Sequence, residues 1–498
     1  MKVINLLWAV LFCLPVFSQK ITYTEPERDD VANMNFEIIG KSNGNYLMYK
    51  GLRNDHYICV YDNNMKLKEK NKLSFIADKV INSDFINYPD RSYLIYQFQK
   101  RGIVYCMAAT IDSLGNPVGE PIQLDTTAIG ILTDNKIYNL EVSEDKQKVM
   151  LFKIQRRNDK FNYTTMLLNS RLQPIKKSRM ILNYDERKEV LSDFILDNDG
   201  DFVFAQSTRV GFRDYFNAVE LFIKKADVDS FLMVPVSINN LFLDEVKIKI
   251  DNFNKHYLLS CFYYTKKHGD VEGIFSYIWD KNSGTPLIQT AAQFSDSLKL
   301  EAKTDGPYRM AFNNFFIRNI IMKKDGGYLL AAEDYYAQSR SNSWNRMDYL
   351  YGTPNLYDNY YSSNYYNSYR WRNNYSRQQT RYYYQNIAVM SVNTAGRLDW
   401  TNVVHKDQFD DESDNSLSFQ LVNLSGELHV IFNEIERRNK LLGDRTITPD
   451  GTIKRNPTLK GLDKGFEFMP RYAKQVSARQ IIVPCMYRNY LCFAKIDF

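Results

Sequence analysis

A chain of 498 residues allows two or three domains, or one large repeat array. A hydrophobic share of 44% is enough to build a core, and an aromatic share of 14%, mostly Tyr and Phe, favours pleated surfaces over helices. The net charge of +6 is scattered among mixed Lys, Arg, Asp and Glu with no basic stripe, which argues against nucleic acid as a partner.

The chain opens with Lys2 and an apolar run from Val3 to Phe17, followed by Ser18 and Gln19. This run is too short to span a bilayer and reads as a secretory signal over residues 1–18, with a buried first strand as the rival reading. Cys13 lies inside the run, and no Leu-Ala-Gly-Cys motif surrounds the cleavage point, so no lipid anchor is expected. No later stretch has the length and apolarity of a transmembrane helix. The expected address is periplasmic, outer-surface or extracellular.

From residue 19 onward one unit recurs, a turn followed by a short apolar strand. The copies are NGNYLMY (Asn43–Tyr49), PDRSYLIY (Pro89–Tyr96), EDKQKVMLF (Glu144–Phe152), NDGDFVFA (Asn198–Ala205), NFNKHYLLS (Asn252–Ser260), DGGYLLAA (Asp325–Ala332), SGELHVIF (Ser425–Phe432) and the divergent VSARQIIVP (Val476–Pro484). Most are preceded by another apolar strand and followed by a third, such as HYICVYD or GIFSYIWD, then by a turn and a fourth. Four antiparallel strands at a period of about fifty residues predict an all-β fold, a β-propeller of about eight blades with seven as the alternative. Strands apolar on both faces suit blades sandwiched between neighbours. The last repeat stops after its third strand at Phe498, and KITYT (Lys20–Thr24) is a spare strand at the other end. Together they predict a ring closed by both termini. The alternating residues Tyr490, Cys492, Ala494, Ile496 and Phe498 also fit the last strand of an outer-membrane barrel. The grouping of strands in fours argues against that barrel.

Five cysteines follow the signal: Cys59, Cys106, Cys261, Cys485 and Cys492. They are too few for a disulfide framework and read as buried small hydrophobes. A two-residue turn at Arg488–Asn489 would set Cys485 directly opposite Cys492, where a cross-strand bond could form.

The chemistry of catalysis is scarce. Histidines 56, 256, 268, 405 and 429 show no ligand spacing, and no Cys/His cluster occurs, so no metal or other cofactor is expected. His429, among apolar strand residues, reads as a satisfied core histidine. The acidic run Asp407–Asn415 and the loop LDNDGD (Leu196–Asp201) hint at calcium. The first lacks Gly-centred spacing and the second lacks a distal bidentate Glu, so a solvated loop and a β-turn are the simpler readings. No nucleophile elbow or phosphate-binding loop is present.

The repeats at Asp325–Ala332 and Ala388–Trp400 resemble those of secreted bacterial β-propeller proteins, whose units read D-G-G-Y, an apolar strand, then a turn with Gly and a Trp. The resemblance is at the level of fold. It implies binding or scaffolding and carries no active-site residues across.

Between residues 335 and 386 the sixth repeat is opened by a segment rich in Tyr, Asn, Ser and Arg with no Lys and few aliphatics, which reads as a flexible insert without a core of its own. Its aromatic and Arg side chains suit stacking on sugars or aromatic groups. The candidate binding residues are Trp344, Tyr360, Tyr361, Tyr365, Tyr366, Arg370, Trp371 and Arg372; no catalytic residues are assigned. The sequence thus predicts a non-catalytic, exported binding or scaffolding propeller with an envelope or surface protein or a glycan as partner. A propeller-type glycan hydrolase or lyase is the alternative.

Overall fold

In the computed structural model each repeat folds as an antiparallel meander. The structure describes residues 19–27, 34–52, 54–76, 80–129, 136–157, 160–185, 188–209, 215–267, 269–304, 311–339, 368–370, 380–411, 413–424, 426–436, 439–456 and 465–498. The first blade shows the plan: Met34–Ser42, Asn45–Leu52, Asp55–Tyr61 and Leu67–Lys72, each paired with the next in chain order. The tight turn between its first two strands is made by Asn43 and Gly44, both at positive φ (45° and 83°), a pair that Asn-Gly adopts at low cost.

Among the described residues the strands form seven hydrogen-bonded sheets. The nine-stranded one is two blades bridged by the two-residue strand Phe242–Leu243, so the blades number eight. Their separation into four-stranded units rules out a single membrane barrel wall. Second strands are buried along most of their length, as in His256–Tyr264, whereas the fourth strand of the first blade, Leu67–Lys72, faces solvent. Eight apolar layers join each blade to the next. One unites the first and eighth blades through Phe36, Tyr46, Cys59, Ile482 and Phe493, so the ring is continuous.

Closure follows the predicted route. Lys20–Tyr23 pairs antiparallel with Tyr490–Asp497, from Lys20↔Asp497 to Tyr23↔Ala494, and supplies the missing fourth strand of the eighth blade. The innermost strand of that blade departs from the repeat. Phe466–Phe468 pairs with one half of Gln480–Tyr487 and Lys474–Ser477 with the other, and the single turn of 3-10 helix Pro470–Tyr472 lies between them.

Beyond the closing strand, Glu27 reaches the first blade. Its carboxylate accepts from Lys50 Nζ at 2.7 Å, Tyr61 Oη at 2.9 Å and Lys70 Nζ at 3.0 Å. Burial opposes ionisation of Glu27. The Lys50 charge and the hydrogen bonds from Lys50, Lys70 and Tyr61 outweigh it and hold the carboxyl at about 2. The N-terminal segment is therefore a two-point latch, a ladder on the eighth blade and a charge on the first.

The meander also sorts the connections. Turns between first and second strands lie on one rim; the opposite rim carries the second-to-third strand loops and the crossovers from blade to blade. The insert belongs to that crossover rim.

Deleting Lys20–Thr24 is expected to destabilise the ring by about 2–4 kcal/mol, because ladder bonds and the packing of Ile21 and Tyr23 are lost together. An unchanged urea midpoint would contradict closure by the termini. A separate expectation concerns pH. Since the folded pKa of Glu27 lies below its ordinary value of 4.5, its contribution is complete above that pH and disappears as pH falls through about 2. The stability gap between the native chain and Glu27→Gln should therefore be largest near neutrality and shrink steadily below pH 4.5.

Candidate functional site

The sixth blade is taller than its neighbours on the crossover rim. Its second and third strands, Tyr328–Ser339 and Thr380–Val392, stay paired past the blade, through Tyr335↔Tyr384 and Tyr336↔Tyr383 up to Ser339↔Thr380. Tyr-rich sequence favours such an extension, since aromatic side chains stabilise each other across a pleated pair. Gln408–Asp410, from the head of the acidic run, adds a third strand: Tyr382↔Asp410, Tyr383↔Phe409 and Tyr384↔Gln408. The insert thus rises from a three-stranded stem.

Alternation gives the stem two faces. Tyr335 and Tyr384 on the inner face pack with Phe316 and Leu417. The Arg318 guanidinium lies over the rings of Phe316, Tyr335 and Tyr384, 5.5, 5.8 and 6.0 Å from their centroids. The Tyr384 hydroxyl donates to Asp414 Oδ2 at 2.9 Å and accepts from Arg471 Nη1 at 2.9 Å. Arg471 also pairs with Asp414 at 2.8 Å, so the eighth blade braces the stem of the sixth.

Beneath this face Lys406 is fully enclosed. Its ammonium lies 2.9 Å from Glu333 Oε1 and donates to the Tyr384 carbonyl at 3.0 Å and to Gln408 Oε1 at 3.1 Å. Burial lowers the Lys406 pKa, and the Glu333 charge opposes that fall. Glu333 also accepts from Ser418 Oγ at 2.7 Å and Arg318 Nε at 3.2 Å. Every charge here is engaged in fixing the stem.

The outer face is different. Tyr336 and Tyr383 stack at 4.4 Å with planes 14° apart, and Phe409 follows at 6.2 Å from Tyr383. Phe409 is 49% exposed. Arg381 lies over the Phe409 ring at 5.3 Å and grips both oxygens of Asp411, with Nη2–Oδ2 at 2.9 Å. The hydrogen bond to Asp411 raises the Arg381 pKa, and its counterpart lowers that of Asp411. Burial raises the Tyr336 pKa, helped by Tyr383. Tyr336 is buried, so the accessible part of the row is Phe409 with the half-buried Tyr383, which beside Arg381, Asp411 and the Gln338 amide can stack on a flat ligand and hydrogen-bond its edge.

Elsewhere the carboxylates hold tethered cations. In LDNDGD, Lys281 Nζ stands 2.6 Å from Asp197, 2.7 Å from Asp199 and 2.9 Å from Asp201, and Tyr257 donates to Asp197 at 2.9 Å. Burial works against the Lys281 charge, but the three carboxylates outweigh it and raise its pKa. The place a calcium ion would take at this turn is filled by an ammonium from the next blade. At the acidic run, Asp411 and Asp414 are neutralised by Arg381 and Arg471. Among the described residues no group of three or more His, Cys, Asp or Glu side chains is arranged to hold a metal ion. His429 is buried, with Nδ1 2.9 Å from Asp444 Oδ1, as a satisfied core histidine should be.

Of the candidates named from sequence, Trp344, Tyr360, Tyr361, Tyr365, Tyr366, Trp371 and Arg372 lie outside the described residues. Arg370 falls within Ser368–Arg370, a strand whose backbone pairs with the innermost strand of the first blade (Asn35↔Arg370, Phe36↔Tyr369, Glu37↔Ser368). That pairing uses the edge facing the ring axis, so the insert, rooted in the sixth blade, returns to the first. Sequence reasoning missed Tyr383, Phe409 and Arg381. The signal was there in the alternation of RYYY, and in Phe409 as the one aromatic of the acidic run.

No family model matches the chain, and no curated protein does. Similar solved structures include prolyl oligopeptidase B from Galerina marginata (8% identity, 92% of this chain, TM-score 0.40). Polysaccharide lyase Uly1 is similar at 12% identity over 83% of this chain and 89% of its own, with a TM-score of 0.39. The dihydro-heme d1 dehydrogenase NirN is similar at 11% over 94% and 73%, with a TM-score of 0.40. The chain spans 55% of the peptidase and also 55% of a prolyl endopeptidase. These are likenesses of fold alone, and nothing about activity follows from them.

Replacing Lys281 by Met should leave the buried Asp197 and Asp201 without their countercharge, Asp199 keeping Lys255, and cost about 3–5 kcal/mol. Millimolar calcium should then raise the melting temperature of K281M and leave that of the native chain unchanged. A variant that ignores calcium would show that the three carboxylates lack the geometry of a cation cage.

Proposed function

We propose that this chain is a non-catalytic binding propeller, exported to the bacterial envelope or surface, that holds a glycan against the outer face of the sixth-blade stem. The observation that carries the reading is the exposed Phe409 beside the half-buried Tyr383, backed by the buried Tyr336 and bordered by Arg381, Asp411 and Gln338. Sugar rings present flat apolar faces and hydroxyl edges, and an aromatic row with planar polar neighbours complements both. The charged clusters support the absence of catalysis, because Lys281, Lys406, Glu333 and Asp414 are each consumed in ion pairs that fix the blades or the stem. The Tyr- and Arg-rich insert extends the same chemistry beyond the stem.

The test is binding of the purified chain to envelope and extracellular polysaccharides by calorimetry. Phe409→Ala and Tyr383→Ala should each weaken binding by about 1–2 kcal/mol, roughly 5- to 30-fold, with the melting temperature little changed for the exposed Phe409. Equal affinity in both variants would remove the stem from the proposal, and release of oligosaccharide products would replace binding with catalysis. Exchanging residues 340–379 for a short Gly/Ser turn is expected to keep the ring folded at a cost of about 1–3 kcal/mol, since closure entropy grows only logarithmically with loop length while the Ser368–Arg370 ladder on the first blade is lost. Affinity should fall if the insert adds contacts. Loss of folding would instead make the insert structural.

A further inference from the structure

The last hairpin of the ring sets two thiols side by side. Arg488 and Asn489 both take positive φ, 48° and 65°, which forms the two-residue turn whose twist matches its strands and fixes their register. The ladder then runs Tyr487↔Tyr490, Met486↔Leu491 and Cys485↔Cys492. Directly opposed residues of an antiparallel pair have Cα atoms about 4.5–5.5 Å apart, inside the ~4.4–6.8 Å window that a disulfide bridges without moving the backbone. The two Sγ atoms lie 3.0 Å apart.

Both side chains belong to the apolar layer between the seventh and eighth blades, with Phe468, Ile481 and Val483. Burial holds the Cys485 thiol well above its ordinary pKa, so the thiolate needed for exchange is suppressed once the ring has closed. Cys59, Cys106 and Cys261 are buried in three other blades, each without a second cysteine in its layer. Cys492 also lies on Tyr490–Asp497, the strand on which the N-terminal strand docks, two residues before the Ala494 that pairs with Tyr23.

We propose that Cys485 and Cys492 form an intramolecular disulfide, made while the eighth blade is open and sealed when the N-terminal strand completes the ring. One thiolate attacks the disulfide of an oxidant of the glutathione or thiol–disulfide oxidoreductase class, giving a mixed disulfide that the second thiolate resolves. Two S–H bonds are lost and one S–S bond is formed. The two protons released and the two electrons pass to the oxidant, whose disulfide is reduced to two thiols. The bond ties the central pair of strands in the blade that closes the ring.

The experiment uses the full chain, unfolded with reductant and refolded either in a glutathione disulfide/glutathione couple or in reductant alone. Each product is unfolded, alkylated and digested with trypsin, which cuts after Arg488 and so separates the two cysteines. The expected result is a linked Cys485–Cys492 peptide pair from the oxidising arm and two alkylated peptides from the other. The oxidised ring should also melt a few degrees higher, a difference that vanishes in the Cys485→Ala, Cys492→Ala double variant. Full alkylation of both cysteines after oxidising refolding would overturn the proposal, as would linkage to a different cysteine. Dithiothreitol applied to the folded, oxidised ring should leave the link intact while cleaving it in urea. Equal rates of cleavage would overturn sealing by ring closure.

Discussion

The constraint on which the structure depends is that no blade can cover its own apolar faces. Strands such as His256–Tyr264 are buried on both sides, so each sheet is stable only between two neighbours. A row of such sheets would end in two exposed faces, each a site of aggregation. Bending the row into a ring removes both, at the cost of a joint between the first and eighth blades. The joint is therefore fastened in three ways. It combines the four-residue ladder of Lys20–Tyr23, the apolar layer around Phe36 and Phe493, and the Glu27 carboxylate gripped by Lys50 and Lys70.

Packing explains where the charges are. Interiors of the layers are apolar, and several ionisable side chains that enter them at blade edges find partners from the adjoining blade. Asp125 of the second blade receives Lys153 and Lys177 of the third at 2.6 and 2.9 Å. Asp197, Asp199 and Asp201 of the fourth receive Lys281 of the fifth. Removing one member strands the other in a medium where a lone charge is costly, so each pair fixes the relative height of two blades more firmly than it adds net stability. The same logic appears at Glu333 and Lys406, where it fixes the root of the stem.

What could be read from the sequence was local, and what could not was assembled from a distance. Turn-and-strand units are legible because Asn43, Gly44 and Gly326 take positive φ that few other residues accept, and apolar runs follow at once. Closure was legible because the strand count came out one short at Phe498 and one over at Lys20–Tyr23. The ammonium in the LDNDGD turn was hidden, since Lys281 lies some eighty residues beyond the carboxylates it neutralises and has no motif around it. The split inner strand of the eighth blade was hidden because Pro470 and Arg471 interrupt a repeat whose letters had already diverged. The stem was hidden by composition. Tyr, Asn and Arg crowd both the paired flanks and the segment between them, and only a partner strand tells one from the other.

A propeller can vary its rim without disturbing its layers, and this chain uses that freedom at one place above all. A long insert on a bare loop would present its side chains from a mobile base, and ordering them on a ligand would use up much of the binding energy. Here the ladder is carried past the blade by the pairs from Tyr335↔Tyr384 to Ser339↔Thr380 and widened by Gln408–Asp410. Arg318 from the innermost strand and Arg471 from the eighth blade hold its inner face. The outer face is thereby held rigid: Tyr336, Tyr383 and Phe409 are set by sheet register, and Arg381 is locked by Asp411. The extra ladder and its braces fix the stem on one rim while the layers between the blades are left unchanged.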